Sequence, residues 1–367
     1  MKIDSRANRK RILVCGPIAE AGKPAEGGFQ TGNLRLISIL REIGFETEGL
    51  AYPGRKNSST AKVWAYMTTF IRIWTRLLQF WRDGDAVHFT PLLKRFLYFE
   101  VLVCAFAKLS GKKLVVDLRA GFQYQEYRER SGMYRMAFRW MARLADVVAY
   151  EGEVYREWLQ KLDSKKPCFY NPNFVQDSYV ACPPRAAGGP RLVYVGRVSE
   201  AKGCMHGARI LTELRQTLPE ATLTLVGYGT SEEIEEIHRL ASEGVVLTGQ
   251  LAQDQIREIL DQSHFFMFLT LWKSEGHSNA LTEAMARGCV PIYTQHGFNS
   301  SVAGGVGIEV ANRDKVHEVA EAIIRLWLSA QWEELSRQAC QRVQREFSEE
   351  RVRGTVAQIY RTIFCVA

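Results

Sequence analysis

At 367 residues, with 46% hydrophobic and 24% charged residues, the chain has material for a large core and exceeds one typical domain. Its formal net charge of +8 suits nucleic acid, an anionic membrane surface or phosphorylated small molecules, and selects none of them. Low-complexity tracts, solenoid repeats, a disulfide framework and structural zinc are excluded: the eight cysteines are scattered, none in a Cys-x-x-Cys pair, as expected of buried thiols in a reducing compartment.

The polar first ten residues lead straight into a predicted strand at 12–16, so no signal peptide is expected. Gly27 and Gly28 fall in a long predicted loop before a helix at 32–43. The most apolar stretches, 63–81 and 92–109, are interrupted by Arg72 and Arg76 and by Lys94, Arg95, Glu100 and Lys108, which argues against a membrane span. The expected location is cytoplasmic, with the cytoplasmic face of the membrane as an extension. Further strands are predicted at 86–89, 114–118, 147–150, 192–195, 222–226, 245–247, 265–269 and 291–294. Helices are predicted at 131–144, 205–218, 232–242 and 253–260. Short strands apolar on both faces and separated by helices imply parallel sheets built from βαβ units. The stretch 171–190, with four prolines and two glycines, reads as a linker. Residues 1–172 are then a first Rossmann-like domain, 190–345 a second, and 346–367 a terminal helix expected to pack back toward the first. The fold class expected is α/β, two doubly wound domains facing each other across a cleft.

The sharpest motif runs from Ser274 through Glu275, Gly276, His277, Ser278, Asn279, Ala280, Leu281, Thr282 and Glu283 to Ala286. Ser278 or Asn279 suits a helix N-cap and Gly288 the C′ position. Glu275 then lies in a loop at the carboxyl end of a strand, where open α/β sheets bind ligands, and Glu283 about one turn into the next helix. The amides at that helix start suit a phosphate. Spacing alone also fits two carboxylates that only favour the helix dipole. A second motif, Gly196-Arg197-Val198-Ser199-Glu200-Ala201-Lys202-Gly203, places a turn and two cations after a strand, and Gly227 sits just past another. Arg197 and Lys202 could neutralise a departing diphosphate, arginine by a forked contact and lysine as a point charge.

The order Gly-Arg-x-x-x-x-Lys-Gly, Val-Gly-x-Gly and Glu-x7-Glu-Ala-Met-Ala-x-Gly resembles glycosyltransferase family 4, a retaining family of the GT-B fold. The resemblance is strong over 191–308 and looser before it. It implies a hexosyltransferase-type enzyme moving sugar from a nucleotide diphosphate donor to a glycan or lipid-linked acceptor, in surface polysaccharide or glycolipid assembly. By resemblance, Glu275, Arg197 and Lys202 are catalytic: Glu275 contacts the transferred sugar, and the two cations hold the diphosphate. Gly196, Gly227 and the backbone of Gly276, His277, Ser278, Asn279, Ala280 and Leu281 bind the donor, and Glu283 takes the ribose hydroxyls. His277 is expected to touch ligand. Gly27 and Gly28 are expected on the acceptor side, with Asp117 and Arg119 where family members often carry a histidine. No metal or cofactor is implied, because the two cations and the helix end replace Mg²⁺, and no enzymic nucleophile is needed.

The aromatic, basic segments 63–82 and 133–143 combine features of interfacial helices with features of sheet-packing ones, so peripheral membrane contact joins the expected partners. A GT-B-like phosphorylase or nucleotide-sugar epimerase would share the phosphate site but should add a Schiff-base lysine or acid/base histidine. A non-enzymatic basic protein binding nucleic acid or membrane lacks support from any nucleic-acid-binding signature, so no nucleic acid is expected. Neither half opens with Gly-x-Gly-x-x-Gly, which argues against a dinucleotide oxidoreductase.

Overall fold

The structure, a computed structural model, describes residues 9–19, 28–51, 64, 68, 71–80 and 84–365. It divides into two compact units: residues 1–172 with 353–367, and residues 173–352.

The first unit holds a six-stranded parallel sheet in the order β2-β1-β3-β4-β5-β6. These strands are β1 (Arg11–Gly16), β2 (Glu46–Ala51), β3 (Ala86–Phe89), β4 (Lys113–Leu118), β5 (Val147–Tyr150) and β6 (Cys168–Tyr170). β1, β3, β4 and β5 are buried almost end to end, as the unbroken β-branched runs demand of a sheet covered on both faces. β2 and β6 were not expected. Glu46-Thr-Glu-Gly is an edge with charges facing out, and β6 is three residues long. Helix Gly28–Glu42 starts four residues before the predicted 32, so Gly28 opens the helix and is not part of a loop; Gly27 lies outside the described residues.

The second unit holds another six-stranded parallel sheet, order β12-β11-β10-β7-β8-β9. Its strands are β7 (Arg191–Val195), β8 (Thr222–Val226), β9 (Val245–Gly249), β10 (Phe265–Phe268), β11 (Val290–Thr294) and β12 (Ile308–Val310), the last a short edge strand also missing from the sequence reading. Residues 171–175 are buried, so the proline-rich stretch is no loose connector at its start. The Val175 amide bonds Phe347 O at 3.0 Å. Farther along, the Arg185 guanidinium donates to Ser263 O at 2.5 Å and Arg287 O at 2.8 Å, fastening this segment to the second unit.

Helix Glu349–Cys365 starts in the second unit and ends in the first. There Val356, Ile359, Tyr360 and Ile363 are buried, and the Tyr360 ring lies 5.1 Å from that of Phe45. Among the described residues no helix is long and apolar enough to cross a membrane, and the seven cysteines with described side chains are free thiols.

Candidate active site

In the second sheet the strand order reverses between β7 and β10, the place where doubly wound sheets open a crevice at their carboxyl ends. Both motif-bearing loops emerge there. The loop after β7 carries Gly196, Arg197 and Lys202; the loop after β10 carries Glu275 and Gly276.

Backbone bonds tie these loops together. Leu271 N donates to Ala201 O at 2.8 Å, Val198 N to Tyr228 O at 2.8 Å and Gly196 N to Val226 O at 2.9 Å. Gly227 has φ +141°, and a Cβ there would lie 1.8 Å from Gly196 O, so the crossing of the β7 and β8 loops admits only glycine. The Tyr194 hydroxyl, at the end of β7, donates to Arg197 O at 2.9 Å. Burial first, then Cys204 and Glu275, push this phenol far above its ordinary pKa, so it stays a donor and holds the loop. The Arg197 side chain is exposed and has no hydrogen bond or ion pair among the described residues.

Lys202 Nζ and Glu275 Oε2 meet at 2.5 Å, with side chains 19% and 11% exposed. The same carboxylate oxygen accepts from Thr270 Oγ1 at 2.9 Å, and Thr270 Oγ1 accepts from Trp272 N at 3.1 Å. Thr294 Oγ1 donates to Thr270 O at 2.6 Å, anchoring the arrangement to β11. Glu275 is therefore aimed by a lysine and a threonine at a position largely shielded from water. Thr270 escaped the sequence reading; its one signal was a hydroxyl residue just past a fully apolar strand.

Helix Asn279–Ala286 follows. Ser278 is its N-cap, accepting from Leu281 N at 3.3 Å, and Gly288 adopts the left-handed C′ conformation (φ +75°). Gly276, Asn279 and Ala280 are half-buried at its start, and Leu281 is buried. The His277 ring is 4% exposed, bonds Thr282 Oγ1 at 2.8 Å and stands edge-on to Phe347 at 4.8 Å. The ring thus braces the loop from inside, turned to Thr282 and Phe347. Asn173 Nδ2 reinforces this by donating to His277 O at 2.8 Å. Glu283, half-buried one turn into the helix, accepts from Gln253 Nε2 at 3.3 Å. Glu275, Lys202 and the helix start are thus assembled in one place, and Glu283 lies farther along the same helix.

Asp117 and Arg119 belong to the first unit, at the end of β4. Asp117 Oδ2 accepts from Arg119 Nε at 2.9 Å and Asn171 Nδ2 at 3.1 Å, and lies 3.2 Å from His88 Nε2. His88 Nδ1 in turn lies 3.0 Å from the Tyr360 hydroxyl. Burial alone would raise the Asp117 carboxyl; the Arg119 guanidinium and His88 outweigh it and hold it below the usual range. Asp117 is wholly buried and Arg119 nearly so, making this a structural polar knot that pins the terminal helix. Both side chains are engaged inside the first unit, with each other and with His88 and Asn171. Gly28, exposed at the first turn of its helix, lies in the same unit.

Residues 189–329 match the family model described as Glycosyl transferases group 1. Together with the two parallel sheets, this defines the fold: two doubly wound units of GT-B architecture, the second of them similar to the group 1 glycosyl transferases. Among curated proteins the chain is similar to the GDP-mannose:cellobiosyl-diphosphopolyprenol alpha-mannosyltransferase of Xanthomonas oryzae, 26% identical over 264 residues, 68% of this chain and 66% of that protein. The chain therefore matches just under two thirds of that relative's length. Among solved structures, sucrose-phosphate synthase from Thermosynechococcus elongatus has a TM-score of 0.75 at 16% identity, covering 98% of this chain and 100% of that one. Anabaena HepE in complex with UDP has a TM-score of 0.69 at 14% identity, covering 95% and 99%.

Proposed function

We propose that the protein is a retaining transferase of glycosyltransferase family 4, moving a hexose from a nucleotide diphosphate sugar to a glycan or lipid-linked acceptor in surface polysaccharide or glycolipid assembly. The observation that carries this reading is the Lys202–Glu275 pair at 2.5 Å beside the Ser278-capped helix start. A diphosphate seated on the amides of Gly276 to Leu281 meets the positive end of the helix, with Lys202 and Arg197 adding charge to neutralise it as it departs. Glu275, held by Thr270 and Lys202, then faces the sugar being transferred, and Glu283 takes the ribose. When the Lys202 ammonium turns to an arriving diphosphate, Glu275 is freer to accept from sugar hydroxyls, which couples donor binding to sugar positioning.

Front-face substitution fits a site with two cations and requires no enzymic nucleophile. The bond from the anomeric carbon to the diphosphate breaks as the acceptor oxygen bonds on the same face, and the departing phosphate takes the acceptor proton. The two cations and the helix end would make a divalent metal unnecessary. The UDP complex of HepE and the GDP-mannose and diphosphopolyprenol in the Xanthomonas relative's name support a nucleotide-sugar donor and a lipid-linked acceptor. Such an acceptor would place the protein at the cytoplasmic face of a membrane.

The test is transfer from UDP- and GDP-hexoses to a diphosphopolyprenol-linked sugar in EDTA, with product stereochemistry read by NMR. Transfer with the donor's anomeric configuration kept, abolished in Glu275→Gln, is expected. An inverted product, or dependence on added metal, would overturn the proposed mechanism.

A further inference from the structure

The first unit carries an outward face that the sugar-transfer reading does not use. Residues 71–80 are helical and bury Ile73, Leu77 and Phe80, while Ile71, Trp74 and Leu78 form an exposed stripe at spacings of three and four. Helix Leu97–Leu109 buries Leu97, Val103, Cys104 and Ala107 and exposes Tyr98, Leu102 and Leu109. Helix Gly132–Leu144 buries Tyr134, Phe138 and Met141 and exposes Met133, Met136 and Trp140. The three are neighbours: Trp74 stacks on Phe106 at 5.7 Å, and the last two helices pack together, with Lys94 N donating to the Tyr134 hydroxyl at 3.2 Å.

Arg76 is bound to Glu48 and Lys108 to Asp146, and the unpaired charge on these helices has one sign. Glu100 is the sole acidic residue in the described parts of these helices, and it is fully buried, its carboxylate accepting from Leu92 N at 2.7 Å and Leu93 N at 2.9 Å. Arg72, Arg95 and Arg143 are exposed with no ion pair among the described residues. Leu102 is 50% exposed and Trp140 57%, too much for residues explained by packing on the sheet. Tryptophan and tyrosine beside arginine are the groups that sit at a lipid headgroup boundary, their apolar bodies inside and their polar ends wet.

We propose that this three-helix face docks on an anionic lipid bilayer. The inference deepens the membrane placement given above by naming the surface and the lipid chemistry, and it can fail without the donor site failing. Pairing of this face with a second copy would bring arginines against arginines, whereas anionic headgroups complement them. Each basic residue near such a surface strengthens binding by about fivefold, from ~1 kcal/mol apiece.

The experiment is sedimentation of the full chain with vesicles of phosphatidylcholine alone or mixed with phosphatidylglycerol. It compares the wild type, an Arg72→Glu/Arg143→Glu variant and a Leu102→Gln/Trp140→Gln variant, with mass followed by light scattering and UDP and GDP binding by thermal shift. Binding to the anionic vesicles only, weakened by added salt and reduced at least about tenfold in each variant, is expected. The salt effect on the wild type tests the proposal even if a variant misfolds, which loss of its nucleotide shift would reveal. Equal binding to both vesicles, no vesicle binding, well-folded variants that bind as the wild type does, or a lipid-free dimer split by the same substitutions would overturn it.

Discussion

Replacing Lys202 by alanine tests the charge arrangement most directly. Its ammonium is 2.5 Å from Glu275 and 19% exposed, so a charge-assisted bond to a phosphate oxygen is expected to be worth ~1.5–3 kcal/mol. A nucleotide diphosphate supplied at about 100 times its dissociation constant stabilises the wild type by ~2.7 kcal/mol. Losing ~1.5–3 kcal/mol of binding weakens affinity roughly 13- to 160-fold, and at the same ligand concentration the stabilisation falls to ~0.3–1.3 kcal/mol. The unit that carries Lys202 runs from Asn173 to Val352, and for about 180 residues each kcal/mol moves the melting temperature by ~2–4 °C. Differential scanning fluorimetry should therefore show a shift of roughly 5–11 °C for the wild type and roughly 1–5 °C for Lys202→Ala. Because each protein is compared with its own ligand-free state, any stability change from unpairing Glu275 cancels. Equal shifts in the two proteins would refute the assignment of Lys202 to the diphosphate.

Two further outcomes follow from local geometry. Gly227→Ala must push a Cβ against Gly196 O and should cost at least about 3 kcal/mol in urea unfolding; Gly111→Ala, left-handed (φ +70°) with nothing within 4 Å of its Cβ, should cost only ~1–2 kcal/mol. Equal costs would discredit the close-crossing argument. The His264 pKa is lowered to about 3, first by burial and then by Arg191 and Arg185, and its Nδ1 accepts from Arg191 N at 3.1 Å. The unfolded chain binds this proton near the ordinary 6.5, so its contribution to stability is complete above that pH and is lost as pH falls toward 3. Unfolding free energies from urea titration should decline over that window by up to ~1.4 kcal/mol per pH unit from this residue, and His264→Asn should flatten the decline; an unchanged slope would rule His264 out as its source.

The parallel sheets were legible because β7 and β10 are runs such as Leu-Val-Tyr-Val and Phe-Phe-Met-Phe, which only a strand buried on both faces accommodates. β2 was not, since Glu46 and Glu48 break the apolar pattern at an edge where water replaces a neighbour. The glutamate loop could be read from spacing, whereas Thr270 matters only through its register with Thr294 on the adjacent strand. The Asp117 knot was beyond local reading: its partners His88 and Tyr360 are far apart in sequence, and nothing near Asp117 announces that it will be buried. The packing of the His277 ring was equally hidden, because Phe347, against which it stands, lies seventy residues onward.

The return of the terminal helix to the first unit bears on the order in which the protein can be made. Residues 353–365 complete a core that contains β1 and β3, and Tyr360 closes the bond to His88. A ribosome releases them only after all of residues 173–352. The second unit can therefore finish folding first, while the first waits with the apolar places of Tyr360 and Ile363 unfilled. The unfilled places of Tyr360 and Ile363 on a nascent first unit are apolar surface of the kind that chaperones shield during synthesis.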